Sequence, residues 1–232
     1  HTPGVLTETT TDFAFALLIS AARRVVEGHN YTLAGKWKTW GPSLLLGQDV
    51  YGATLGLVGF GRIGKSMAKR ATGFDMKILY HDEFVPADDP FAAEVGAQSV
   101  DMDTLLRESD FVSLHAPLLP STYHLIDAAA LAKMKSTAIL VNSARGPLID
   151  PVALYDALKN GGIAYAGLDV TEPEPIPMDS PLLTLDNIII APHIASGNVV
   201  TRDQMAVIAA NNLIAGLTGK RLPNCANPQV YG

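Results

Sequence analysis

The sequence predicts an α/β fold, a doubly wound parallel sheet with flanking N-terminal and C-terminal helices, and three observations lead there. Short apolar runs at Leu55–Val58, Lys77–Tyr80, Phe111–Leu114, Ala138–Val141, Ala164–Leu168 and Ile188–Ile190 alternate with stretches of helical spacing. Strands that alternate with helices build a parallel sheet covered on both faces. The first run leads directly into Gly59-Phe-Gly-Arg62-Ile63-Gly64, a glycine pattern placed between a strand and a helix. The 232 residues are 48% hydrophobic and 17% charged, enough apolar surface for a large core without disulfides.

The first element expected is one long helix, Thr7 to Val26, because Phe13, Leu17, Leu18, Ala21 and Val25 recur at helical spacing, with Thr7 as its cap and Gly28 as its stop. Its apolar core, Phe13 to Ala22, is ten residues long and follows Glu8 and Asp12. That is too short to span a bilayer and lacks the basic flank of a signal peptide. Between Gly35 and Gly47 runs a loop carrying Trp37, Trp40 and Pro42, aromatic bulk that something must cover. The strands listed above then alternate with helices around Ile63–Ala71, Met102–Leu106, Ala128–Lys133 and Pro151–Lys159. Asp150 before Pro151 reads as a cap with proline at the first helical position, and Gly161-Gly162 closes that helix. From Glu172 to Pro181 four prolines exclude regular structure. After Ser196 a last helix carries Met205, Ile208, Ala209, Leu213, Ile214 and Leu217 on helical spacing, followed by a polar tail.

Charge and composition exclude several function classes. With 17 Lys and Arg against 23 Asp and Glu, the net charge is −6 and no basic run exists. Nucleic acid and anionic membrane both require clustered cations, so neither is expected as a partner. The single Cys225 makes no internal disulfide, and a reducing, cytoplasmic setting follows. The six histidines are dispersed, so no metal site is expected. The sequence also lacks a G-x-S-x-G elbow and a G-K-[ST] loop.

The glycine pattern carries the strongest chemical signal. In a strand-turn-helix context Gly59 makes the tight turn, Gly61 lets a pyrophosphate approach, and Gly64 lets the helix pack against the strand. The helix N-terminus adds free amides and partial positive charge. Asp82, at the end of the next strand, stands where an acid accepts from an adenosine ribose and repels a 2′-phosphate, which favours NAD over NADP. The alternative for Asp82-Glu83 is a solvated strand end. Ligands of such sheets lie at the carboxyl ends of the strands. The polar residues there are His115, Ser143 with Arg145, Asp169 with Glu172 and Glu174, and His193. Arg145, beside Gly146, offers a guanidinium fork to a carboxylate or carbonyl, or else a plain surface salt bridge. His193 is either structural or an acid–base group, the latter if a carboxylate such as Glu174 orients it.

These residues resemble the D-isomer-specific 2-hydroxyacid dehydrogenases over essentially the whole chain. The resemblance rests on Leu55–Gly64 with Asp82, on Ser109–Pro117 with Thr122 and Leu125, on Met134–Gly146, on Gly167–Pro175, and on Pro192-His193. It implies that Arg145, Glu174 and His193 form the catalytic set. It further implies that the cofactor meets Gly59, Gly61, Arg62, Ile63, Gly64 and Asp82, with His115, Ala116, Pro117 and Thr122 on its adenosine half. Ser143, Ala144 and Ser196 join that binding set, and Asp169 is expected to hold the nicotinamide amide. Gly35–Pro42 and the ending Leu222–Val230 look most like glyoxylate and hydroxypyruvate reductases. In some relatives a tryptophan matching Trp40 reaches the neighbouring subunit, which implies a homodimer. Formate dehydrogenases carry Gln at the place of Glu174.

The implied reaction is hydride transfer between NAD(H) and a small 2-keto or 2-hydroxy acid. The alternative from another class is a catalytically idle nicotinamide-sensing protein of the same fold. The organisation expected is a hinge, helix and Trp loop over 1–47 serving as a dimerisation arm, a Rossmann domain over 48–197, and a C-terminal helix and tail over 198–232. Family members carry a further small substrate domain ahead of a hinge that His1–Leu6 resembles, so the chain is expected to be the cofactor domain and to be impaired alone.

Overall fold

The computed structural model describes residues 1–231. Seven parallel strands form one sheet in the order β3-β2-β1-β4-β5-β6-β7. They are β1 (Thr54–Val58), β2 (Lys77–His81), β3 (Ala97–Ser99), β4 (Phe111–Leu114), β5 (Ile139–Asn142), β6 (Tyr165–Leu168) and β7 (Ile188–Ile190). The four residues of β4, β5 and β6 are all buried, because helices cover both faces and leave no polar side to the sheet. One face packs under α1 (Thr7–Ala22), α3 (Arg62–Thr72) and α4 (Pro90–Val95), where Leu18, Leu55, Leu57 and Met67 are fully enclosed. The other packs under α5 (Met102–Glu108), α6 (Ala128–Leu131) and α7 (Pro151–Lys159), around Leu105, Val112, Leu140 and Ala166. Each fully buried Leu or Met contributes about 1.5–3 kcal/mol. The strand order reverses between β1 and β4, which opens the crevice where such sheets bind ligands.

The single helix expected over Thr7 to Val26 is two helices, α1 and α2 (Val25–Leu33). Arg24 between them is left-handed, with φ 51°. Tertiary contacts impose the break. The Ala22 carbonyl accepts from the Gln48 amide at 2.8 Å, and Gly47 lies so close to that carbonyl that a Cβ there would collide with it. The Arg24 guanidinium holds the turn by donating to Glu27 and to the Leu46 carbonyl. Gly28 therefore sits inside α2 and stops nothing; Gly35, at φ 65°, follows the end. Nor is Thr7 the cap: Leu6 occupies that position without a side-chain bond.

The sequence reading also passed over α4 and β3. Both are short, six and three residues, and β3 is a largely exposed edge strand with no apolar alternation. The caps of α4 are legible afterwards: Asp89 accepts from the Phe91 and Ala92 amides, Pro90 stands at the first helical position, and Gly96 closes in the left-handed region. The cap at Asp150 forms as expected, accepting from Val152 and Ala153. The last helix is α8 (Val199–Leu217), capped by Asn198. Among the described residues no helix is long and apolar enough to cross a membrane.

Candidate active site

The glycine turn has the geometry a dinucleotide needs. Gly59 has φ 95°, and a Cβ there would lie 2.6 Å from the Ala116 amide nitrogen. A Cβ on Gly64 would collide with the Gly59 carbonyl, so helix α3 reaches its place only through glycine. Gly61 has open space where its Cβ would be, leaving room for a pyrophosphate against the free amides of α3. The residues present therefore fit the cofactor on the geometry of the turn itself.

Asp82 organises this turn. Its Oδ2 accepts from the Phe60 amide at 2.6 Å, and its Oδ1 accepts from the Phe84 and Val85 amides at 2.7 and 3.0 Å. A carboxylate offers about four lone-pair sites, so one remains for a ribose hydroxyl. Asp82, Gly59, Ala116, Pro117 and Thr122 line one small pocket. Thr122 Oγ1 donates to the Pro117 carbonyl at 2.7 Å and accepts from the Leu119 amide, holding the pocket's far wall.

A second cleft of about 870 Å³ adjoins it, lined by Ile63, His115, Ala116, Pro117, Ser143, Ala144, Arg145, His193 and Ser196 among others. The fold thus gathers most of the expected site residues into two adjoining spaces. Gly61, Arg62 and Gly64 line neither, and Arg62 is exposed; Asp169 is buried outside both, and Glu174 lies outside both on an exposed loop.

His193 follows β7 and is held from two sides. Its Nδ1 lies 2.5 Å from Glu174 Oε1. Its backbone adopts φ 54°, a strained conformation for a residue with a Cβ, and its amide donates to the Asp169 carbonyl at 2.9 Å. The Asp169 carboxylate, 1% exposed, accepts from the Ile194 and Ala195 amides at 2.8 and 2.7 Å. Burial pushes the Asp169 carboxyl up, with those two amides opposing the rise. Glu174 stands the other way. Burial works to raise its carboxyl, but the bonds from His193 and the Thr171 amide, with the charges of His193 and Arg145, hold it below the usual range. The imidazole thus faces an ionised carboxylate, which fixes its Nδ1 proton and leaves Nε2 for exchange.

Arg145 is positioned by its neighbours after β5. Asn142, fully buried, accepts from the Ala144 amide at 3.0 Å and donates to the Arg145 carbonyl at 2.8 Å. Gly146 abuts the Thr171 carbonyl so closely that no Cβ fits, which locks the Arg145 turn to the loop bearing Glu174. Ser143 Oγ is buried without a hydrogen-bond partner among the described residues. His115 lines the cleft neutral: burial pushes its ring down to about 3, and its Nε2 lies 2.9 Å from Ser113 Oγ.

Two positioning groups escaped the sequence reading. Asn142 carried a legible signal, since an Asn whose side chain bonds the backbone two residues on is an ordinary turn former. Arg202 carried none. It comes from the first turn of α8, donates Nε to the Ser196 carbonyl at 3.1 Å and lines the large cleft beside Arg145, so two guanidinium groups face any anion entering there.

A phosphate-cradling glycine turn, a carboxylate at the end of β2 and an oriented imidazole beside an arginine define a nicotinamide-dinucleotide-dependent oxidoreductase domain. Residues 15–195 match the profile of the D-isomer specific 2-hydroxyacid dehydrogenase, NAD binding domain. The chain belongs to this family, whose chemistry is hydride transfer between NAD(H) and small 2-keto or 2-hydroxy acids. It is 57% identical over 231 residues to a glyoxylate reductase of Korarchaeum cryptofilum, covering 99% of this chain and 69% of that one. It is 51% identical over 235 residues to glyoxylate/hydroxypyruvate reductase B of Citrobacter koseri, covering 100% of this chain and 71% of the relative. A crystal structure from Thermus thermophilus superposes with TM-score 0.90 at 50% identity, over 97% of this chain and 70% of that one.

Proposed function

We propose that the protein reduces glyoxylate or hydroxypyruvate with NADH, as a cytoplasmic homodimer, and that Arg145 and His193 are the groups that meet the substrate. The observation that carries this is the His193–Glu174 contact of 2.5 Å beside Arg145 in one cleft. The names of the similar proteins give no support to a protein that only senses nicotinamide. The names of the Korarchaeum and Citrobacter relatives support the substrates. Asp82 supports NADH, because its negative charge repels a 2′-phosphate. Trp37 and Trp40, 60% and 79% exposed, support a partner copy over the first 47 residues.

When bound, the nicotinamide supplies a hydride to the carbonyl carbon. The Arg145 guanidinium binds the keto acid and polarises its carbonyl. His193 delivers its Nε2 proton to the carbonyl oxygen, and ionised Glu174 at Nδ1 holds the ring in register. Asp169 anchors the His193 loop by its two amide bonds, and this reading assigns it to the carboxamide end of the ligand. Ser143, Ala144 and Ser196 form the adjacent wall.

The test is NADH oxidation by the whole protein that carries these residues. Turnover with glyoxylate and hydroxypyruvate is expected, with a loss of about 10²–10⁴ in His193→Asn. No turnover with either acid, or an unimpaired His193 variant, would overturn the proposal.

A further inference from the structure

The loop that presents Glu174 carries a second carboxylate, and the chemistry above leaves it unused. Glu172 Oε2 lies 2.6 Å from His124 Nε2, and Glu172 Oε1 accepts from the Tyr123 hydroxyl at 3.1 Å. The Tyr123 and His124 rings stack with centroids 4.0 Å apart, so the two donors form one rigid unit. Neither Tyr123, His124 nor Glu172 lines the large cleft or the adenosine pocket.

Their backbone neighbours explain what this unit is attached to. The His124 amide donates to the Pro147 carbonyl at 2.8 Å, and the Ile126 amide to Leu148 at 2.9 Å, so the segment runs beside the turn that follows Arg145. That turn meets the Thr171 carbonyl at Gly146. Around Glu172, Thr171 Oγ1 donates to the Pro173 carbonyl at 2.8 Å and the Thr171 amide donates to Glu174 Oε2 at 3.3 Å. A stacked His–Tyr pair therefore grips one carboxylate of the loop while the other carboxylate grips His193.

We propose that Glu172, held by His124 and Tyr123, is a positioning residue that fixes the 171–175 loop so that Glu174 meets His193. The inference rests on the reductase reading for its kinetic consequence. A fixed loop is worth having because an error of about 1 Å in an acid–base group can cost about 10² in rate. The grip is built from a carboxylate between an imidazole and a phenol, and the phenol stays protonated, since its hydrogen bond to Glu172, with the carboxylate's charge adding to it, pushes Tyr123 up.

The test compares Glu172→Ala with Glu172→Gln, which keeps the volume and one acceptor, alone and in a Glu174→Gln background. Glu172→Ala is expected to lower kcat roughly ten- to a hundredfold, with NADH affinity unchanged. Glu172→Gln should recover part of the loss, and in the Glu174→Gln background the alanine change should add almost nothing. NMR of the His193 ring in the 232-residue chain needs no substrate: its signals should move in Glu172→Ala and be largely restored in Glu172→Gln. A protein that turns over neither keto acid would overturn the reductase reading while the ring signals still decide the loop. A kcat loss of equal size in both backgrounds, or His193 signals unmoved by Glu172→Ala, would overturn the positioning role.

Discussion

Asp82 serves structure directly and, in the proposed function, selectivity as well. Its three amide bonds hold the Phe60 turn and the Phe84–Val85 backbone, and its charge faces the ribose pocket. Asp82→Ser removes the charge and most of these bonds. A hydrogen bond to a charged group is worth about 1.5–3 kcal/mol, so the preference for NADH over NADPH should fall roughly ten- to a hundredfold. Fluorescence titration with both nucleotides measures this, and equal affinities in the unmutated protein would refute the assignment. His115 makes a different prediction. Its folded-state ring titrates at about 3, below the ordinary value of 6.5, so the unfolded chain takes up a proton between these values and the folded chain does not. The sign follows: the stability present above pH 6.5 is lost as pH falls toward 3, at up to about 1.4 kcal/mol per pH unit. His115→Asn should flatten the dependence between pH 6 and 4 in denaturant unfolding, and an unchanged slope would show that the ring is not desolvated. At this scale the sequence exposed the candidates well, because strand ends advertise themselves. What it could not expose was which polar atoms are already engaged, such as the Asp169 oxygens on Ile194 and Ala195.

At the scale of elements the apolar periodicity located every central strand, since each is a short run buried on both faces. Elements decided by neighbours were another matter. The apolar spacing of residues 7–26 reads as continuous helix, yet the Ala22 carbonyl is taken by the Gln48 amide and the helix ends there. Gly47 makes that approach geometrically feasible. Gly47→Ala should therefore cost about 1–3 kcal/mol, because the added methyl meets backbone that has nowhere to move. Thermal denaturation checks this, and a neutral substitution would mean that the 44–48 segment is not what ends α1. The short α4 and β3 were missed for the opposite reason: six and three residues carry too little periodicity, although the Asp89-Pro90 cap and Gly96 were there to be read.

At the scale of the whole molecule, the 1–47 segment divides in its burial. Helix α1 is a core layer, with Ala14 and Leu18 fully enclosed, whereas α2 has no buried residue and the Trp loop beyond it is open. The proposed homodimer, covering α2 with Trp37 and Trp40, would account for this contrast. Sedimentation should give a dimer, and Trp37→Ser with Trp40→Ser should shift it toward monomer while leaving NADH binding in place. A monomeric unmutated protein would refute the arrangement. Dinucleotide binding should be retained because the turn, Asp82, Thr122 and Asp169 all belong to one sheet end.

The sequence by itself determined the parallel sheet and the dinucleotide turn, and it nominated the acid–base residues that the proposed function uses. These follow from local causes: apolar period, glycine conformational freedom, and polar residues stationed where strands end. Only the tertiary structure decided where α1 breaks, which atoms of Asp82 and Asp169 are engaged, and that Glu172 is taken by His124 and Tyr123. Those outcomes depend on contacts between segments far apart in the chain, such as Ala22 with Gln48 and His124 with Glu172. No local pattern records a partner that arrives from elsewhere, so the sequence names Glu174 for His193 but says nothing of the grip on Glu172.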